Sequence, residues 1–264
     1  MILSIGGTTV ELMCSDTKLQ EAIQKHYRYY LSEENYSGNK LEVEVLNQPE
    51  QVWPGHEEII FIDQTLEVNL PECIGRLDLG RGLSKMTFRH NQAMNTFDYV
   101  LRIIFAWHIF KQGGLMLHAC GVARYQKGFI FLGPSGSGKS TIARLSADYD
   151  VGSDDLVILT KDATTWQLHA TPFWNQYIPK KPVKPISINA LFVLKQDADV
   201  FLSYMTQATL IARLIANSPV INRCATLIQD LMDRCIQLCR STRVFELHFQ
   251  PNASFWEKID QSQV

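Results

Sequence analysis

The sequence predicts an α/β chain in two unequal parts, a small α+β domain over residues 1–92 and an α/β domain over residues 93–264. Three observations carry this. The first part is a succession of short apolar runs punctuated by glycine and proline, with one amphipathic segment among them. The second part opens on a segment that is apolar almost all round. Further on, Gly133-Pro134-Ser135-Gly136-Ser137-Gly138-Lys139-Ser140-Thr141 follows the apolar run Phe129-Ile130-Phe131-Leu132 and precedes a helical pattern. That is G-x-x-x-x-G-K-[ST] between a strand and a helix, the setting of a phosphate-binding loop. Glycines at 133, 136 and 138 let the backbone curl with its N–H groups turned inward, a concave nest for phosphate oxygens. Lys139 is then placed to reach the β/γ-phosphates, and the Ser140 hydroxyl to hold Mg²⁺. A Gly/Ser-rich turn that merely contains Lys-Ser is the bland alternative, and the strand–loop–helix setting argues against it.

Taken in order, Ile2–Ile5 and Thr9–Met13 flank Gly6-Gly7 as a hairpin. Asp16 reads as the N-cap of a helix through about Leu31, with Leu19, Ile23, Tyr27 and Tyr30 inward. Leu41–Leu46 alternates apolar residues with Glu42 and Glu44, a half-buried strand. Ile59–Ile62, Leu66–Leu70, Arg76–Leu79 and Lys85–Arg89 are further short strands. No chemical constellation stands out among these residues. Thr96 to about Gln112 is a buried helix closed by Gly113-Gly114. Leu115–His118 is a strand, and Cys120–Tyr125 turns at Gln126-Lys127-Gly128 into the strand before the glycine-rich loop. A hairpin feeding such a loop is unusual, because the common nucleotide-binding folds join parallel strands through helices.

Beyond the loop helix, Val151–Leu159 carries the acidic pair Asp154-Asp155 between a glycine turn and an apolar run. Thr165–Ala170 is a partner strand. Residues 172–185 are irregular and basic-aromatic, with Phe173, Trp174, Tyr177, Lys180, Lys181 and Lys184 among prolines. Ile188–Leu194 is a buried strand. Leu210, Ile211, Leu214 and Ile215 mark one amphipathic helix. Val220, Cys224, Leu227, Ile228, Leu231, Cys235 and Leu238 mark a second, longer one. Val244–Phe249 is a last strand, and Phe255-Trp256 a closing aromatic anchor.

Composition narrows the function classes. The chain has 264 residues, 46% of them hydrophobic and 20% charged, and a net charge of −2. It has no basic block to recommend a nucleic-acid partner. The N-terminus lacks the basic and apolar regions of a signal peptide, and no apolar run is long enough to span a bilayer. The six cysteines are scattered; Cys235 and Cys239, one helical turn apart, read as core packing. Reduced thiols and a cytoplasmic location are expected. An LSGGQ-type signature is missing, and Leu194-Lys195-Gln196-Asp197 lacks the Asn with which a GTPase reads guanine.

Leu117-His118-Ala119, a hairpin, Gly133–Thr141 and then Ser153-Asp154-Asp155 resemble the catalytic domain of HPr kinase/phosphorylase. That family shares its core with ATP-dependent phosphoenolpyruvate carboxykinase. Thr171-Pro172-Phe173, Leu191–Lys195, the two late helices and Val244-Phe245-Glu246-Leu247 resemble its HPr-kinase-related branch, which includes the lasso-peptide kinases. The likeness runs from about residue 95 to the end. It implies a P-loop kinase core with a small α+β N-terminal domain, using ATP and Mg²⁺. By the same resemblance, Lys139 and the amides of Gly133–Thr141 hold the phosphates, and Ser140 binds Mg²⁺. Asp154 accepts the acceptor's hydroxyl proton, Asp155 orients the metal shell or a positive partner, and His118 faces the transferred phosphoryl group. The two aspartate roles are open to exchange. Such a division is what phosphoryl transfer asks of adjacent carboxylates. From the residues alone, the Asp pair remains open to being a polar turn, and His118 to being a core histidine. The acidic-arginine stretch by which HPr kinase serves metal binding and phosphorolysis has no counterpart in residues 160–190, which argues against HPr as substrate. A catalytic arginine is unplaced among Arg213, Arg240 and Arg243.

The expected activity is ATP-dependent phosphorylation of a hydroxyl, serine foremost, on a peptide or protein. A small-metabolite kinase and a non-catalytic ATP-sensing regulator are the alternatives. The N-terminal domain is expected to help hold the acceptor through a strand edge, with the basic-aromatic stretch from Phe173 to Lys184 closing on the same segment as a minor alternative to a solvated connection, and the oligomeric state is open.

Overall fold

The computed structural model describes residues 1–33, 39–46, 54–55, 58–89, 93–163, 165–179 and 183–262. Lys180 and Lys181 lie outside the described residues. The chain divides into two compact units, Met1–His108 and Ile109–Val264.

The first unit is built on an eight-stranded sheet. Strands β1 (Ile2–Ile5) and β2 (Thr8–Cys14) form the expected hairpin, turning through Gly6 and Gly7 at φ 59° and 80°. Helix α1 (Thr17–His26) is capped by Asp16, whose carboxylate accepts from the Leu19 N–H at 2.7 Å. It ends well before Leu31. The buried Tyr27 donates its hydroxyl to Asp98, and the Ser4 N–H donates to the Tyr30 carbonyl at 2.8 Å. Those bonds turn the chain out of the helix, so that Leu31–Ser32 pairs with β1 as β3. Strands β4 (Asn39–Leu46), β5 (Glu58–Ile62), β6 (Thr65–Leu70), β7 (Cys73–Asp78) and β8 (Leu83–Arg89) follow. The order across the sheet is β3-β1-β2-β4-β8-β7-β6-β5. Helix α2 (Ala93–Lys111) runs across the division between the units. It ends in a Schellman motif, with the Gly114 N–H on the Ile109 carbonyl and the Gly113 N–H on that of Phe110. Among the described residues no helix is long and apolar enough to cross a membrane.

In the second unit β9 (Leu115–Arg124) is one continuous strand, where the sequence suggests a break after His118. It turns through Tyr125 and Gln126, at φ 51° and 58°, into the antiparallel β10 (Lys127–Leu132). Two positive-φ turn residues match the right-handed twist of the flanking strands. The run expected as one strand over Val151–Leu159 is two, β11 (Asp150–Ser153) and β12 (Leu156–Asp162), separated by the Asp pair. Both pair antiparallel with β9. Strand β13 (Thr165–His169) follows β12, and β14 (Ile186–Gln196) begins beside β13 and continues parallel to β10. Strands β9, β10, β14, β13 and β12 therefore close into a circuit. Strand β15 (Phe201–Ser203) lies antiparallel to β16 (Arg243–Phe249), which runs parallel to β14.

Helix α3 (Lys139–Leu145) follows the glycine-rich loop, and α6 (Ser254–Gln261) supplies Phe255 and Trp256 to the core of this unit. Phe131 stacks on Phe192 at 5.2 Å and meets Trp256 edge-on at 5.7 Å. The Trp256 indole N–H donates to Ser146, at the end of α3. Helix α4 (Gln207–Ala216) buries Leu210 and Leu214. The long helix expected from Val220 onward is broken. Val220 sits at φ 69°, ψ −61°, and two short 3₁₀ turns precede α5 (Ile228–Ser241). The Ile221 N–H on the Pro219 carbonyl closes a γ-turn there, a conformation that a continuous helix excludes. Arg234 of α5 donates to the carbonyls of Phe110 and Gly114.

Candidate active site

Strand β10 points the glycine-rich loop outward at its C-terminal end, beside the parallel strands β14 and β16. Two of the three glycines are required by packing. A Cβ on Gly138 would lie 2.5 Å from the ring of Phe249, and one on Gly133 would lie 2.3 Å from the Ser137 hydroxyl. Gly138 also holds φ 106° as the residue before α3. Gly136 has open space around it, but its φ is 78°. Lys139 folds back over the loop, its Nζ donating to the Gly133 carbonyl at 2.7 Å and the Pro134 carbonyl at 3.1 Å. Burial depresses the pKa of its ammonium, while Asp155, Cys120 and Asp154 pull the other way.

These residues line a cleft of about 550 Å³, together with His118, Ser140, Thr141, Asp154 and Asp155. The loop residues Pro134, Ser135 and Gly136 line it as well. Ser137 does not; its hydroxyl is buried without a hydrogen-bond partner among the described residues. Arg213, Arg240 and Arg243 are not among the lining residues either. Asn175, Gln176, Gln196, Ala216 and Asn217 are. Sequence reasoning did not single out these last five. Gln196 carried one usable signal, its place at the C-terminal end of a buried parallel strand, where ligands of open α/β sheets gather. Its amide now donates to the Gly136 carbonyl at 2.8 Å. A second recess of about 400 Å³ shares Gly138, Thr141 and Gln196 with the cleft and adds Asp197, Phe249 and Pro251.

The two aspartates have different surroundings. Asp154 is 1% exposed. Its carboxylate accepts from the backbone N–H groups of Asn175, Gln176 and Tyr177 at 2.8, 3.0 and 3.2 Å. Asp155 is more open, and its carboxylate lies 3.3 Å from His118 Nδ1. Register produces that meeting, because Leu156 of β12 stands opposite His118 of β9 and the Ala119 N–H donates to the Asp155 carbonyl. The His118 N–H itself donates to the Asn217 carbonyl at 2.7 Å, which ties the end of α4 to the same place. The chemistry available is an ammonium beside a loop of backbone amides, a hydroxyl next to it, and a carboxylate–imidazole pair facing them.

No curated protein matches the chain. Among solved structures, the Hpr(Ser) kinase/phosphatase from Coxiella burnetii aligns at 10% identity, covering 56% of this chain and 95% of its own, with a TM-score of 0.32. Over residues 84–264 the sequence matches the family described as SynChlorMet cassette protein ScmC, and the chain belongs to that family.

Proposed function

We propose that the protein is an ATP-dependent kinase that transfers the γ-phosphate to a hydroxyl, serine foremost, of a peptide or protein. The observation that carries this is a single cleft lined by the glycine-rich loop, Lys139, Ser140 and the Asp155–His118 pair. The residues fit a magnesium nucleotide. Gly136, at φ 78°, leaves open space in the loop, and Ser140 and Asp155 offer the hard oxygen donors that Mg²⁺ takes alongside phosphate oxygens. The adjoining recess at Phe249 and Pro251 has room for the nucleoside. Bound there, MgATP supplies the transferable phosphoryl group.

The chain's own residues supply position and charge, which is most of what phosphoryl transfer needs. Loop amides and Lys139 hold and neutralise phosphate oxygens. Asp155 takes the proton of the acceptor hydroxyl, and His118, 3.3 Å away, orients that carboxylate. Asp154 is a positioning residue, since both of its oxygens already accept backbone N–H groups. This moves the base role, which the family resemblance implies for Asp154, to Asp155. The small domain over residues 1–92 helps hold the acceptor, with β3 and β5 as the edges of its sheet.

The test is incubation with γ-labelled ATP and Mg²⁺, with and without cell extract. Label in a polypeptide is expected. Label confined to a small molecule would make the protein a metabolite kinase, and tight MgATP binding with no transfer at all would make it a sensor.

A further inference from the structure

Residues 171–177 form neither helix nor strand, yet buried polar groups hold them in place. Thr171 donates its hydroxyl to the Leu156 carbonyl. The Phe173 carbonyl accepts from the Ser153 hydroxyl at 2.8 Å and from the Leu156 N–H at 3.2 Å. Beyond Trp174, Asp154 accepts from the three successive amides of Asn175, Gln176 and Tyr177. Phe173 is fully buried, and Tyr177 packs against the core. Connecting segments ordinarily satisfy their backbone groups with water at the surface. Here a buried carboxylate, costly to desolvate, is spent on fixing one irregular segment. The outcome is specific: Asn175 and Gln176 are exposed and line the cleft, and Ile178, just past the last anchored amide, is 61% exposed.

Resting on the kinase reading above, we infer that residues 174–178 are the acceptor-recognition segment, and that they read an extended polypeptide around its serine. A carboxamide presents one acceptor and two donors, the complement of a peptide group's N–H and C=O. Asn175 and Gln176 bond the acceptor's backbone beside Asp155. Ile178, which is not among the cleft-lining residues, takes an apolar side chain a few residues from the serine. A small metabolite confined to the cleft has no use for an apolar contact outside it. A rigid segment suits this task because it loses little conformational freedom when the peptide binds.

The test uses the full chain, γ-labelled ATP and Mg²⁺ on an array of serine-containing dodecapeptides in which each flanking position is varied in turn. Wild type is expected to prefer an apolar residue at one flanking position. Ile178→Lys is expected to replace that preference by one for Asp or Glu at the same position. Asn175→Ala/Gln176→Ala, which removes two hydrogen bonds, is expected to lower labelling across the array on the order of tenfold or more, without changing the preferred position. An unchanged preference in the Ile178 variant, or undiminished labelling by the double variant, overturns the assignment. Wild-type MgATP affinity is measured by calorimetry alongside. Binding without any peptide labelled overturns the recognition segment and leaves the nucleotide site standing. Failure to bind MgATP overturns the kinase reading and this inference together.

Discussion

Replacing each aspartate by asparagine separates positioning from chemistry. In Asp154→Asn the amide can keep an oxygen on one side only. If it faces Gln176 and Tyr177, its NH₂ meets the Asn175 N–H, which donates to Asp154 at 2.8 Å in the native chain. One charge-assisted hydrogen bond is lost outright, worth about 1.5–3 kcal/mol, and the other two lose about half their strength. Burying a neutral amide in place of a carboxylate returns part of that. The net destabilisation is about 2–4 kcal/mol, read as a lower urea midpoint at unchanged m-value. Asp155 is partly exposed and meets His118 at 3.3 Å, so Asp155→Asn should stay within about 1 kcal/mol of wild type in stability. Its turnover should instead fall by ~10²–10⁴, the usual worth of general-base assistance. Turnover of Asp154→Asn, measured below its unfolding transition, should fall less than that of Asp155→Asn. A variant at Asp154 with wild-type stability and a turnover loss of a hundredfold or more would refute the reasoning and return the base to Asp154.

Lys139→Ala removes a charge-assisted phosphate contact and should weaken MgATP binding by about 2–3 kcal/mol, roughly 30- to 150-fold, by calorimetry; unchanged affinity would take the nucleotide out of the glycine-rich loop. Gly138→Ala places a Cβ 2.5 Å from Phe249 at φ 106°, so backbone strain and overpacking together should cost about 2–5 kcal/mol, against about 1 kcal/mol for Gly136→Ala, where nothing collides. Equal urea midpoints for the two variants would show that Phe249 does not dictate glycine at 138. Burial lowers the His108 pKa from 6.5 to about 4. Because that folded value lies below the unfolded one, the stabilisation is complete above pH 6.5 and is lost as pH falls toward 4. At about 1.4 kcal/mol per unit it amounts to on the order of 3 kcal/mol. Urea midpoints across that range should fall less steeply for His108→Leu, and identical slopes would show that His108 is not the group responsible.

Much of this protein is written in local spacing. The glycine-rich loop, its strand and its helix depend on residues within a dozen positions of one another. So do the Gly6-Gly7 hairpin, the Asp16 cap and the Schellman end of α2. Hydrogen bonds and φ preferences between near neighbours decide such features, and residue types report them directly. What the tertiary structure alone decided rests on distant partners. Asp154 and Asp155 are adjacent and chemically identical, and only the approach of three amides from residues 175–177 makes one an anchor and leaves the other beside His118. Gly138 reads as loop flexibility until Phe249 of β16 comes to lie against it. The 3.6-residue spacing from Val220 onward predicts one helix, because burial on one side looks alike for a helix and for 3₁₀ turns leading into one; the γ-turn at Val220 breaks it. The cleft's carboxamides come from three separate segments, the loop before β14, the end of β14 and the end of α4. No period or motif links positions so far apart, since what joins them is the path of the backbone through the closed circuit of strands.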